Sequence, residues 1–256
     1  MKVPVRYRAV LAYIGTDFHG WQTQRNASRT VQGVLEKALG ALEGRPVRAQ
    51  AAGRTDAGVH AEAQIVHFDL PAARDPARLR DGVNARLPRD ARLLEVEIAP
   101  SDFHARRDAV WKEYLYRWSR APVIPPRDAP FVAPISPLAD SSAMLAAADA
   151  LAGRRDFAVF GVRNVPAEST VRTIHFVRVA SAGDEVHALF RGDAFLRGMI
   201  RSICGVLADV GRGRAPVMRV RDLLATGDRR LLGQKASPRG LTLLRVHYEK
   251  EPEARS

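Results

Sequence analysis

Apolar and polar positions alternate through residues 3–13. Val5, Tyr7, Ala9, Leu11 and Tyr13 fall on one face and Arg6 and Arg8 on the other, which predicts a half-buried strand. Thr30 then precedes a helix-spaced apolar pattern that runs through Leu42, and Gly44 follows it, so a capped helix is expected there. Short strands are expected at 47–52 and 64–70, joined by the stretch AAGRTDAGVHA at 51–61. A helix over 75–85 and a strand over 92–98 complete the order β-α-β-β-α-β, that of a ferredoxin-like unit.

The second half repeats the theme. Residues 110–119 alternate as a strand, and Asp140 opens an alanine-rich helix that stops at Gly153. Residues 173–180 and 185–191 read as a hairpin through Gly183-Asp184. A long helix over 194–210 follows, then a shorter one opened by Pro216 and closed by Gly227, then a strand over 241–248. The pattern predicts an α+β protein of two ferredoxin-like domains, residues 1–105 and 106–256, meeting near 100–108. The proline-rich segment 121–137 is a long insertion, and long loops in compact domains are often functional or mobile.

Composition narrows the function. Lys plus Arg is 40 and Asp plus Glu is 28, a formal net charge of +12, with the arginines spread along the whole chain. A folded basic surface points to a polyanion, nucleic acid or an anionic membrane surface. A general preference for arginine explains why only five of the 40 are lysine, but not the shortage of acids. The single cysteine, Cys204, excludes a disulfide framework and a thiolate zinc cluster, and its apolar helical setting makes it a buried structural thiol. The start of the chain lacks the unbroken apolar core of a signal peptide. No apolar run reaches membrane-spanning length. A soluble, cytoplasmic protein with a nucleic-acid partner and no membrane association is the expectation.

The loop at 51–61 carries the candidate chemistry. Its plain reading is a hairpin turn with Gly58 in a left-handed conformation. Three features point further. Arg54 lies two residues before Asp56, close enough for an ion pair that favours the charged carboxylate. Ala51, Ala52, Gly53, Ala57 and Gly58 are small enough to let a planar ligand approach the backbone. His60 adds a polar group, more simply read as a structural hydrogen-bonder than as a base. A lone aspartate in a basic setting suggests covalent attack on an electron-poor carbon. No paired-carboxylate motif accompanies it, which argues against sugar hydrolysis, and no metal-ligand spacing appears. What remains is a reaction with a nucleoside, at ribose C1′ or at base C6.

GRTDAGVHA resembles the catalytic motif of the tRNA pseudouridine synthase A family, and the likeness extends over nearly the whole chain. YIGTDFHGWQTQ with TVQGVLEKAL resembles the family's first strand, loop and helix, and KEYLYRW, residues 112–118, its tyrosine motif. FRGDAFLRGMIRSICGVLADVGRG resembles its long C-terminal helix and SPRGLTLLRVHY its closing strand. Ile14 stands where the family commonly has Asp. The resemblance implies a pseudouridine-synthase core with a central basic cleft, a U-shaped homodimer and no cofactor. The implied reaction is isomerisation of uridines at positions 38 to 40 of the tRNA anticodon stem-loop. It also implies that Asp56 is the catalytic aspartate and Arg201 the arginine paired with it, that Arg54 accompanies the flipped nucleotide, and that Tyr114 lines the base pocket.

The residues support these assignments unevenly. Val110, Lys112, Tyr114, Tyr116 and Trp118 share a strand face, and an extruded base needs an aromatic surface. Tyr116 and Trp118 suit a core better, and Tyr114 is also a candidate base for the uracil C5 proton. Phe195, Met199, Ile203, Leu207 and Val210 form an apolar helical stripe, with Arg197 and Arg201 adjacent on one side. Gly198 and Gly205 invite close approach of another backbone, for which the Asp56 loop is a candidate. His19, Trp21 and Gln22 either contact RNA or shape the loop, and His67 reads as structural. A non-catalytic RNA-binding module and a base-removing glycosylase are the competing functions.

Overall fold

A computed structural model describes residues 4–24, 29–162 and 169–249; the residue at which the first strand was expected to begin, Val3, lies outside them. In the first half β1 (Val5–Tyr13), α1 (Val31–Glu43), β2 (Ala49–Ala51), β3 (His60–Leu70), α2 (Pro76–Asn84) and β4 (Ala91–Ile98) follow the expected order. In the second half come β5 (Trp111–Ser119), β6 (Ala133–Pro134), α3 (Ser141–Ala148), β7 (Gly153–Asp156), β8 (Val171–Ala182), β9 (Glu185–Gly192), α4 (Met199–Gly211), α5 (Arg219–Thr226) and β10 (Leu241–His247).

Local chemistry explains these boundaries. In β1 Tyr7, Ala9, Leu11 and Tyr13 are buried, while Arg6 and Arg8, on the other face, pair with Asp69 and Glu97. The Thr30 hydroxyl accepts from the Gly33 N–H at 3.2 Å, and Gly44 ends α1 at φ 68°. Asp75 caps α2, where Pro76 sets the first turn, and Asp140 caps α3 by accepting from Ser142 and Ala143. These satisfy amide donors that the helix itself leaves unpaired.

The strands form one mixed sheet, ordered β4-β1-β3-β10-β5-β9-β8-β7, with β2 on β3 and β6 on β5. The ladder between β3 and β10 is parallel and short, pairing His60 with Thr242 and Ala61 with Leu243. A single hydrophobic core runs from Tyr7, Leu35 and Phe68 to Tyr116, Ile203 and Leu207. Cys204 is buried in it as a free thiol. Among the described residues no helix is long and apolar enough to cross a membrane.

Two differences from the sequence pattern bear on the site. The long helix begins at Met199, not at 194, because Gly198 takes φ 72° and breaks the helical run. The proline-rich insertion is anchored: the Pro130 carbonyl lies 2.9 Å from His60 Nε2, and Phe131 packs on the same imidazole at 4.9 Å.

Candidate active site

The loop carrying Asp56 leaves β2 and enters β3, and it is gripped on several sides. Ala52 N–H donates to the Ile65 carbonyl at 2.8 Å, and Gln64 Nε2 to the Gly53 carbonyl at 2.8 Å. The buried Thr55 hydroxyl shares a 2.8 Å hydrogen bond with Tyr13 Oη. Its carbonyl accepts from the Trp21 N–H at 3.1 Å, and Gly58 N–H donates to the Phe18 carbonyl at 3.2 Å. Val59 N–H closes the turn onto the Asp56 carbonyl at 3.2 Å. Gly58 has φ 79°, and a Cβ there would meet Pro238 Cγ at 2.8 Å. The plain turn reading is therefore correct as geometry; it coexists with the carboxylate the turn presents.

Residues 17–22 thus form one wall of the loop. Trp21 is buried, so it shapes this wall, whereas His19 is exposed and Gln22 half-buried. Both His60 nitrogens are engaged: Nδ1 accepts from the Gly15 N–H at 3.1 Å, and Nε2 faces the Pro130 carbonyl. Burial lowers its pKa, which suits a structural hydrogen-bonder. Ile14 donates its N–H to the Asp90 carbonyl at 2.9 Å and leaves its side chain 43% exposed.

Asp56, 20% exposed at the side chain, meets two arginines from the other half of the chain. Arg201 Nη1 is 3.1 Å from Oδ2, and Arg197 Nε is 3.8 Å from Oδ1. Arg201 is aimed by its Nε, which donates to the Ala236 carbonyl at 2.9 Å, while Ala236 N–H donates back to the Arg201 carbonyl at 3.0 Å. Arg197 sits before the helix and is 62% exposed. The ion pair with Arg54 that spacing allowed does not form: Arg54 is exposed and makes no ion pair among the described residues. The close approach at Gly205 also differs from expectation, because a Cβ there would collide with the Gln234 carbonyl, not with the Asp56 loop. Gly198 instead faces Lys235, whose Nζ would lie 2.8 Å from a Cβ.

The strand face next to the loop supplies a floor. Tyr114 is 6% exposed and meets Phe195 edge-on at 5.3 Å. Burial raises its phenol pKa, and Tyr13 and Asp56 add to the rise, so it stays a neutral phenol and is poorly suited to take the C5 proton. Tyr116 donates to the Ser237 carbonyl at 2.8 Å and tilts against Trp118, as the core reading expects. Lys112 is 7% exposed, and burial depresses its pKa to about 8, helped by Arg106. Asp56, Arg201 and Tyr114 are thus brought together, and Arg54 lies at the rim. Sequence reasoning missed the segment 234–240 that orients Arg201. The glycine inside α4 was its signal, since it marked close approach without saying by what.

A family model described as tRNA pseudouridine synthase matches residues 9–108 and 147–249. The chain is 44% identical over 249 residues to a tRNA pseudouridine synthase A of Solidesulfovibrio magneticus, covering 95% of this chain and 91% of that one. It is 40% identical to a namesake from Syntrophotalea carbinolica, covering 94% and 95%, and 37% identical to one from Lysinibacillus sphaericus, covering 95% and 99%. Among solved structures, a chain of a Cbf5-Nop10-Gar1 complex matches with 13% identity and a TM-score of 0.39, over 94% of this chain and 50% of that one.

Proposed function

The chain belongs to the tRNA pseudouridine synthase family, and from that premise we propose that it isomerises uridine to pseudouridine at positions 38 to 40 of the tRNA anticodon stem-loop, with Asp56 as the reacting carboxylate. The enzyme is an isomerase acting on tRNA. The observation that carries the residue assignment is the 3.1 Å contact between Asp56 and Arg201, groups 145 residues apart in sequence.

The reaction breaks the N-glycosidic bond, turns the base and joins C5 to C1′. The target base is stacked in a stem and must be extruded first. Arg54, exposed at the rim, is placed to fill the vacated space or hold a backbone phosphate. Tyr114 offers an aromatic surface to the extruded base, and its neutral phenol can donate a hydrogen bond. Arg201 holds one oxygen of Asp56 and so sets the direction of the other. Three routes fit a carboxylate so held: attack at C1′, attack at C6, or removal of the ribose 2′ proton. In each the carboxylate acts in its charged form. Base and sugar must not separate during the turn, so the site has to exclude solvent.

The test uses tRNA carrying tritium at uridine C5. Wild-type protein is expected to release tritium, and Asp56→Asn to release none. Normal release by Asp56→Asn would remove Asp56 from the chemistry. Mapping of the product sites checks positions 38 to 40, and conserved RNA mass separates isomerisation from base removal. A homodimer acting in the cytoplasm without a cofactor completes the reading; sedimentation in solution checks the dimer.

A further inference from the structure

Lys112 is a buried cation beside the Asp56 loop with no part in the steps assigned to Asp56, Arg201 and Tyr114. It lies on β5 two residues before Tyr114 and on the same face, almost wholly buried. Among the described residues its ammonium makes no hydrogen bond and no ion pair. Its neighbour Glu113 offers no partner, because that carboxylate points to the opposite face, held by Arg191 at 2.9 Å and by Arg245. The charges around Lys112 are Arg106, Arg172 and, as the one acid, Asp193, all acting through space. Burial of the side chain disfavours its charged form, and groups perturbed in this way mark functional sites more often than chance.

The Lys112 stem passes Gly53, in the loop that carries Asp56. A Cβ at Gly53 would lie 3.6 Å from Lys112 Cε and 3.8 Å from Tyr114 Oη. The Lys112 stem and the Tyr114 hydroxyl therefore both border Gly53, three residues from Asp56. Of the other cations near the carboxylate, Arg201 is held on Asp56 at 3.1 Å, Arg197 lies 3.8 Å from it, and Lys235 acts on it through space.

Isomerisation is helped by a hydrogen-bond donor beside the base. When the C1′–N1 bond breaks, its electron pair stays on the uracil ring and spreads onto the carbonyl oxygens. If a carboxylate adds at C6 instead, the ring pair moves toward the C4 carbonyl. Either way negative charge grows on a carbonyl oxygen, and a preorganised donor in a water-poor site stabilises such charge strongly. We propose that the Lys112 ammonium donates a hydrogen bond to a carbonyl oxygen of the extruded uracil and stabilises the charge that builds on the ring while the base is detached. This inference rests on the uridine-isomerising reading of the site. The charge balance closes without Lys112 giving up a proton: the pair returns when C5 bonds to C1′, C5 loses its proton to solvent or a base, and N1 gains one.

Lys112→Met and Lys112→Arg test it, in single-turnover tritium release and in tRNA binding. Lys112→Met, which fills the same buried space, is expected to slow release about a hundredfold and leave tRNA affinity within about twofold; Lys112→Arg should recover part of the rate. The wild-type rate should fall as pH rises through about 8, and that limb should vanish in Lys112→Met. If Lys112→Met folds poorly by thermal melting, Lys112→Gln takes its place. A wild-type rate in the uncharged variant overturns the proposal, and so does lost affinity with an unchanged rate, which would make Lys112 a phosphate anchor. Both outcomes leave the isomerase reading intact, since that fails only if the wild-type protein releases no tritium.

Discussion

At Asp56 the two carboxylate oxygens meet different partners. Arg201 is mostly buried and fixed by a backbone carbonyl, whereas Arg197 is long, exposed and 3.8 Å away. Arg201→Ala should therefore abolish turnover and leave tRNA affinity largely intact, measured by tritium release against filter binding. Arg197→Ala should cost less in rate and reduce the salt dependence of binding by about one phosphate contact, because an exposed guanidinium is free to leave the carboxylate for the RNA backbone. Asp56, Arg201 and Tyr114 were legible as a set only because long motifs carried them together. Spacing alone allowed Arg54 as a partner of Asp56, since a residue two positions away is near in any conformation. The tertiary fold overrode that, because the turn that closes Val59 onto Asp56 leaves Arg54 at the surface.

Elements were legible where their chemistry is local. The alternation of β1, the Thr30 and Asp140 caps and the Gly44 and Gly227 stops are all written within a few residues of where they act. Strand β7 was missed because all four of its residues, Gly153 to Asp156, are exposed at the sheet edge and carry no apolar pattern. The start of α4 was misread because Phe195 continues the apolar stripe, although Gly198 has already broken the helix. Two glycines give tests at this scale. Gly205→Ala would force Gln234 away from α4 and with it the Ala236 carbonyl that aims Arg201. It should cost about 1–3 kcal/mol in denaturant unfolding and lower turnover. Gly58→Ala should cost about 1 kcal/mol or more for its positive φ, plus the contact with Pro238, and slow turnover by displacing the Asp56 turn; an unchanged melting temperature and rate would show that the turn is more yielding than its contacts suggest.

Over the whole molecule the element order was readable apart from the short strands β6 and β7, but the way the halves join was not. We propose residues 1–105 and 106–256 as the two units. The sheet runs through both, joined where β10 lies between β3 and β5. The connecting segment is pinned to each side: Ala105 N–H donates to His67 Nδ1 at 3.1 Å, Arg6 Nη1 to the Phe103 carbonyl at 2.8 Å, and Tyr248 Oη to the Ala105 carbonyl at 2.6 Å. His67 was read as structural, and its ring supports the connection only while Nδ1 has a lone pair. Burial, with Arg6 and His104, pushes its pKa down to about 4. The unfolded chain binds this proton near pH 6.5, so stability should be full above that pH. It should decline as pH falls from 6.5 toward 4, then level off with respect to this group. Urea unfolding at several pH values measures the slope, and His67→Gln should flatten it.

The position of β10 also bears on synthesis. A ribosome delivers the Asp56 turn before the strand that bridges the two sheet portions, which follows β1 to β9. Until residue 247 is free of the exit tunnel, β3 and β5 lack their shared neighbour. Without β10 the two portions share no strand, so activity should switch on in one step once residue 247 is free and not accumulate with length.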